Sequence, residues 1–150
     1  MTPRTQLGYL AAILTLALGL VGFLGPIWIA ELLGFRAAQL EPRGLSEIRA
    51  TYGGLFIVMG AVMLWAIAVR PRGIPYLRFA SFLWLGAGVG RLLSMIIDGV
   101  ITPMNFAGLG LEVVVGVCAL LASLENPYVP RIESVEESVE ETPDPMKAYR

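Results

Sequence analysis

The chain of 150 residues is 56% hydrophobic and only 15% charged, whereas soluble domains carry about 25% charged residues. This composition is typical of a membrane protein, and the net charge of -1 argues against a nucleic-acid-binding surface. The sequence has no histidine and a single cysteine, Cys118, which excludes an internal disulfide framework and weighs against haem, most zinc sites and histidine-assisted nucleophiles. We therefore expect no metal site and no cofactor.

Four apolar segments are long enough to cross a bilayer, which takes about 20 residues in a helix. The predicted spans cover residues 7–30, 47–69, 75–98 and 103–125. The predicted fold class is all-α: a polytopic integral membrane protein built as a four-transmembrane-helix bundle. This transmembrane domain is expected to occupy residues 1–126.

Polar residues, glycine and proline indicate where the helices begin and end. Ser46 is a candidate N-cap for the second helix. Pro75 fits the first turn of the third helix, and Gly99 fits a left-handed cap at its end. Thr102 followed by Pro103 reads as an N-cap and a first helical position, so the fourth helix is expected to begin there.

The distribution of arginines indicates the orientation. An even number of spans puts both termini on one side, and that side carries four arginines near span ends: Arg4, Arg70, Arg72 and Arg78. The positive-inside rule then favours a bacterial inner membrane protein with both termini in the cytoplasm. Residues 127–150 are acidic and poor in apolar residues, which predicts a disordered cytoplasmic tail; a partner-docking segment is the alternative.

Two charged residues interrupt the last two spans. At 1.5 Å per residue, Arg91 lies about 10 Å inside the end of helix three, and Glu112 about 14 Å inside the start of helix four. A short loop makes these helices antiparallel neighbours, so the two charges lie at nearly the same depth. A lone charge at the bilayer centre costs about 2.5 to 3.5 kcal/mol on insertion scales. We therefore predict an Arg91–Glu112 ion pair inside the bundle.

Small and polar residues surround this pair. Gly108 and Gly116 lie four residues either side of Glu112, which would let a neighbouring helix approach closely. Gly86 and Gly90 form the same step on helix three. The predicted charge cluster or pocket in the outer half of the bundle comprises Arg91, Glu112, Asp98, Ser94, Tyr52, Arg49 and Glu47.

Each of these residues also has a purely structural interpretation. Arg91 and Glu112 could do no more than fix the register of two helices. Asp98 could be an interfacial residue before a glycine cap, and Glu47 and Arg49 could be a solvated first turn. Tryptophans at 28, 65 and 84 are more typical of interfacial belts or packing than of a cofactor site.

Three stretches together resemble a known family. The segment "EIRATYGGL" (residues 47–55), the segment "GRLLSMIIDG" (residues 90–99) and the lone Glu112 are similar to the bacterial four-helix membrane proteins grouped as domain of unknown function family 4345. The resemblance covers residues 7–124. It implies the four-span bundle and the polar cluster, and no established activity. A more distant resemblance to DoxX-like four-helix proteins implies an accessory subunit of a redox or quinone-linked complex.

Three functional classes remain open from the sequence. The chain could bind a small molecule or lipid. A less favoured variant of this class is an enzyme that uses Glu112 or Asp98 as an acid or base. It could be an accessory or assembly subunit of a larger membrane complex. A transporter is the weakest reading, because paired broken helices are missing from the pattern. The expected partners are the lipid bilayer and either a ligand, a membrane protein or a second copy of this chain; no nucleic acid is expected.

Overall fold

The computed structural model describes residues 1–35, 42–99 and 101–125. Four of its helical segments are long and apolar enough to span a membrane. The helices run in the order α1 (Pro3–Leu24), α2 (Pro26–Leu32), α3 (Pro42–Ile48), a π-helical segment (Arg49–Leu55), α4 (Phe56–Ala68), α5 (Ile74–Ile97) and α6 (Pro103–Ser123). The tail expected at residues 127–150 lies outside the described residues.

The first apolar stretch forms two helices instead of a continuous one. α1 ends at Leu24, Gly25 caps it, and Pro26 occupies the first turn of α2. Proline suits a first helical turn because it has no backbone N–H to leave unsatisfied there. The break turns the last residues of the predicted span 7–30 into a separate short helix.

The second span begins earlier than the sequence suggested, because the helix already starts at Pro42 and the whole span runs from Pro42 to Ala68. The prediction that Ser46 caps this helix is therefore wrong, since Ser46 lies inside α3. The widened π-helical turns follow at once and contain the adjacent pair Gly53 and Gly54. Such wide turns are rare and frequently mark functional sites.

The other predicted helix ends are confirmed. The Thr102 side chain accepts a hydrogen bond from the backbone N–H of Asn105, and Pro103 begins α6. Pro75 lies in the first turn of α5. Gly99 has a φ of 66°, the left-handed conformation expected of a cap that follows a helix.

The four long segments form a ring around a core of small side chains. α1 packs against α4 and α6, and α5 packs against α6 and α4. The fully buried positions include alanines from three of these helices. Small residues allow the helix backbones to approach closely, which is how helices associate in lipid. Where α1 and α4 pack, for example, a Cβ on Gly60 would lie 2.7 Å from the backbone nitrogen of Leu16.

The outside of the bundle is as apolar as the inside. Large hydrophobic side chains are exposed along all four long segments, among them Ile13, Val58, Phe82 and Val114. A water-soluble monomer rarely exposes so much continuous apolar surface. Together with the four membrane-length helices, this surface makes the chain a multi-pass membrane protein surrounded by lipid.

Polar side chains join three helices at the end of the bundle that holds the N-terminus. Arg70 Nη1 lies 2.8 Å from Glu125 Oε2, and Arg70 Nη2 donates to the carbonyl of Ala122. Both Thr2 and Thr5 donate hydrogen bonds to the Glu125 carboxylate. These contacts, here called the terminal clasp, connect the start of α1, the chain after α4 and the chain after α6. They place both ends of the four-span domain on one side.

Candidate functional site

Arg91 of α5 and Glu112 of α6 are in direct contact inside the bundle, as the sequence predicted. Arg91 Nη2 lies 2.6 Å from Glu112 Oε1, and Arg91 Nε lies 3.0 and 2.9 Å from the two carboxylate oxygens. A guanidinium facing a carboxylate in this way combines charge neutralisation with fixed geometry. The Glu112 side chain is 8% exposed, whereas that of Arg91 is 28% exposed, so the cationic partner is the accessible one.

Two glycines of α6 make the space that the pair and its helix need. A Cβ added to Gly108 would lie 2.7 Å from Arg91 Cζ, so the guanidinium lies directly over this glycine. One turn beyond Glu112 on the other side, a Cβ on Gly116 would lie 2.7 Å from Leu85 Cγ. The prediction that these glycines allow close approach of the neighbouring helix is confirmed. The similar step of Gly86 and Gly90 is different, because it faces open space.

A half-open cavity of about 130 Å³ lies beside the ion pair. It occupies the half of the bundle away from the terminal clasp, here called the distal half, where α1 ends and α6 begins. Its walls come from α1, α2, the π-helical segment, α4, α5 and α6. The lining residues are Leu18, Ile29, Leu32, Leu33, Tyr52, Phe56, Trp84, Arg91, Met104, Gly108, Leu111 and Glu112. Apart from the ion pair and Tyr52, the lining is apolar, a composition typical of ligand-binding pockets.

Three aromatic side chains form a continuous row along the cavity lining. The Tyr52 and Phe56 ring centroids lie 5.9 Å apart, edge to face, and those of Phe56 and Trp84 lie 5.1 Å apart. Trp84 is anchored by its indole N–H, which donates to Thr15 Oγ1 at 3.2 Å. The contacts between the rings and the anchored Trp84 define one wall of the cavity.

Short helix α2 covers one side of the cavity. Ile29 and Ala30 pack with Ile48 of α3 in a small second core, against which Leu33 and Tyr52 also lie. This packing holds the lining residues Leu32 and Leu33 of this segment over the distal half. Because α1 ends at Leu24, the chain can change direction there, and α2 covers one side of the cavity.

The structure brings only some of the predicted cluster together. Arg91, Glu112 and Tyr52 line the cavity, whereas Asp98, Ser94, Arg49 and Glu47 do not. Ser94 and Asp98 are exposed and bond to each other, with Ser94 Oγ 2.6 Å from Asp98 Oδ2. Glu47 and Arg49 are exposed as well, at the junction of α3 and the π-helical segment. The polar residues that the sequence groups at one depth thus divide into an interior pair and surface residues.

Sequence reasoning missed Phe56 and the α2 residues as parts of the site, and it interpreted Trp84 as packing. A usable signal existed for α2, since the dipeptide Gly25–Pro26 can end one helix and begin another. For Phe56 no signal existed, because its ring is one of many apolar side chains in an apolar span. Among the described residues, no group of acidic or cysteine side chains is arranged to hold a metal ion.

The fold and this interior pair define a small four-span membrane protein with an ion pair at the edge of an apolar cavity. The family model described as Domain of unknown function (DUF4345) matches residues 5–123, and the chain belongs to that family. No curated protein and no solved structure matches the chain significantly.

Proposed function

We propose that the protein binds an amphipathic small molecule or lipid in the distal cavity, and that its role is binding and not catalysis. The observation that carries this proposal is the half-open apolar cavity with a partly exposed guanidinium beside it. An apolar cavity of about 150 Å³ in another protein holds a molecule the size of benzene, so 130 Å³ suffices for a ring or part of a chain. Ionisable residues inside a membrane are functional candidates by default.

The orientation of Glu112 supports binding over acid–base chemistry. Both of its carboxylate oxygens accept hydrogen bonds from Arg91, and the side chain is almost completely buried. A general acid or base must come within hydrogen-bonding reach of its substrate. Both residues line the cavity, but the Arg91 side chain has much more of its surface accessible than that of Glu112. The cavity therefore presents donors to a ligand and keeps its carboxylate covered.

We also propose that the protein lies in a bacterial inner membrane with the terminal clasp at the cytoplasmic face. Arg4 and Arg78 lie near the same end of the bundle as Arg70, and an excess of arginine favours the cytoplasmic side. The distal cavity then lies in the outer half of the membrane. A ligand would reach it from the outer leaflet or from the periplasm.

The test is native mass spectrometry of the full chain released from its own membrane in mild detergent. The expected result is a bound molecule of defined mass on the wild-type protein. Met104→Trp should remove it, because Met104 lies at the cavity lining near the start of α6 and is itself exposed, so the larger ring can narrow the mouth without disturbing the core. The matched control is Phe106→Trp, an exposed position of the same helix outside the lining, which should keep the bound mass. Equal occupancy in both variants would contradict the proposal.

A second candidate function, an accessory subunit of a larger membrane complex, is favoured by one observation. Gly86 and Gly90 lie on the exposed surface of α5 with open space around them, the spacing at which another helix can pack closely. Gly90→Leu should then release a partner protein in the same native spectra. Loss of the small bound molecule in that variant would instead connect this surface to the cavity.

A further inference from the structure

The charge balance of the distal cavity indicates which class of ligand it accepts. Within the described lining, Arg91 and Glu112 are the charged side chains, and three hydrogen bonds join them. Their formal charges cancel. A ligand entering the cavity therefore meets a neutral pair and not an isolated cation.

The guanidinium nevertheless has hydrogen-bonding capacity left over. Arginine carries five N–H donors, and the contacts with Glu112 involve Nε and Nη2. Within the part of the chain that the structure describes, Nη1 has no hydrogen-bond partner, and it is not among the buried unsatisfied atoms. Nη1 therefore keeps some exposed surface, and its donors can meet an acceptor atom on a ligand.

Charge decides which acceptor is preferred. An anionic headgroup at Arg91 would leave the site with a net negative charge among apolar side chains, and it would lie close to the Glu112 carboxylate. Burying an uncompensated charge is far more costly than burying a polar group that is hydrogen-bonded. A carbonyl oxygen accepts the same hydrogen bonds and keeps the site neutral.

The length and the lining of the cavity indicate the chemical character of the rest of the ligand. Met104 and Glu112 are separated by eight residues of α6, about 12 Å along the helix. The lining residues between them on α6 are Gly108 and Leu111, which have no polar side chain. The segment of α2 adds the apolar Leu32 and Leu33. An acceptor at the depth of Arg91 thus leaves the body of the ligand in contact with apolar side chains.

Resting on the proposed binding function, we infer that the ligand is an uncharged amphipathic molecule with a carbonyl-type acceptor at one end, such as a neutral lipid ester or ketone. The structure disfavours a fatty-acid carboxylate or a phosphate headgroup at Arg91. This preference for an uncharged ligand depends on Glu112 neutralising Arg91.

Fluorescence quenching of Trp84 can measure this preference directly, since Trp84 lines the cavity. The exposed Trp28 and Trp65 are replaced by phenylalanine, and the full chain is placed in nanodiscs of uncharged lipid. The probes are a bromine-labelled fatty acid and its methyl ester, compared at equal mole fraction in the bilayer and at a pH where the acid is ionised. The ester should quench at a concentration at least about tenfold lower than the carboxylate, a difference of about 1.4 kcal/mol. Excess unlabelled ester should relieve the quenching.

Glu112→Gln supplies the decisive comparison, because it leaves an uncompensated guanidinium and should reverse the preference in favour of the carboxylate. If that variant does not fold, the wild-type comparison alone decides, with Met104→Phe, which adds bulk at the cavity lining without a second tryptophan, expected to weaken the ester signal. Carboxylate binding as tight as ester binding in the wild type would overturn the inference while leaving the binding function intact. Unsaturable quenching by both probes would contradict the binding function and the inference together.

Discussion

Replacing Glu112 by glutamine should destabilise the folded protein by about 3 kcal/mol, because Arg91 then loses its counter-charge inside the bundle. Removing one partner of a buried ion pair typically costs about 3 to 5 kcal/mol. The lower end of that range applies here, since the Arg91 side chain is 28% exposed and lines a half-open cavity. Three hydrogen bonds are weakened or lost in the same change.

The measurement is reversible unfolding in mixed micelles, followed by circular dichroism, for a double-mutant cycle. Arg91→Leu alone should also destabilise, because it leaves the buried Glu112 without its donors. The double variant Arg91→Leu/Glu112→Gln should recover much of the loss, so that the two single losses are far from additive. If the double variant folds and no longer binds its ligand, the pair serves the site as well as the fold.

Arg78→Leu is the matched control. It removes the same group from the same helix at an exposed position, where substitutions usually change the free energy of unfolding by less than about 0.5 kcal/mol. A Glu112→Gln variant as stable as this control, or single losses that simply add in the double variant, would refute the interior ion pair.

Four further predictions concern the packing, the clasp, the topology and the tail. Gly108→Ala should destabilise the protein in the same unfolding assay, because the added methyl group would displace the guanidinium from its hydrogen bonds with Glu112, whereas Gly110→Ala, in open space, should be neutral or stabilising. Hydrogen bonds from the two N-terminal threonines and the arginine of the clasp lower the pKa of Glu125 from 4.5 to about 2. Its stabilising effect should therefore be complete above pH 4.5 and vanish as the pH falls towards 2, so the difference in Tm between wild type and Glu125→Gln should shrink over that window. A reporter fused at Arg150 should signal from the cytoplasm, and a periplasmic signal would reverse the orientation. Truncation after Pro130 should leave the amount of protein in the membrane unchanged, and a large loss would mean that the tail docks on the bundle.

The ion pair could be predicted from the sequence because few physical constants decide it. The helical rise fixes the depth of Arg91 and Glu112, the short connection makes α5 and α6 antiparallel neighbours, and the energetic cost of a lone charge in lipid demands a partner. The same constants do not say which residues near the end of a helix face into the bundle and which face outwards. Asp98 therefore fitted the cluster by spacing, yet it bonds to Ser94 one turn away and faces outwards.

The sequence predicts a pocket beside the charge cluster, but the apolar residues that line it could not be predicted, because a membrane protein is apolar on both its inner and outer surfaces. Gly108 and Gly90 occupy similar small-residue steps, yet one lies under a guanidinium and the other faces open space. The terminal clasp was missed for a different reason. In the sequence, Arg70 indicates only the orientation, and its pairing with Glu125 depends on how α4 and α6 end.

The most direct measurement for the central claim is an experimental structure of the full chain extracted with its own lipids. The expected result is an intact Arg91–Glu112 pair and additional density in the distal cavity, within hydrogen-bonding distance of Arg91 Nη1. A guanidinium turned towards the lipid, or a cavity filled by the protein's own side chains, would contradict the account.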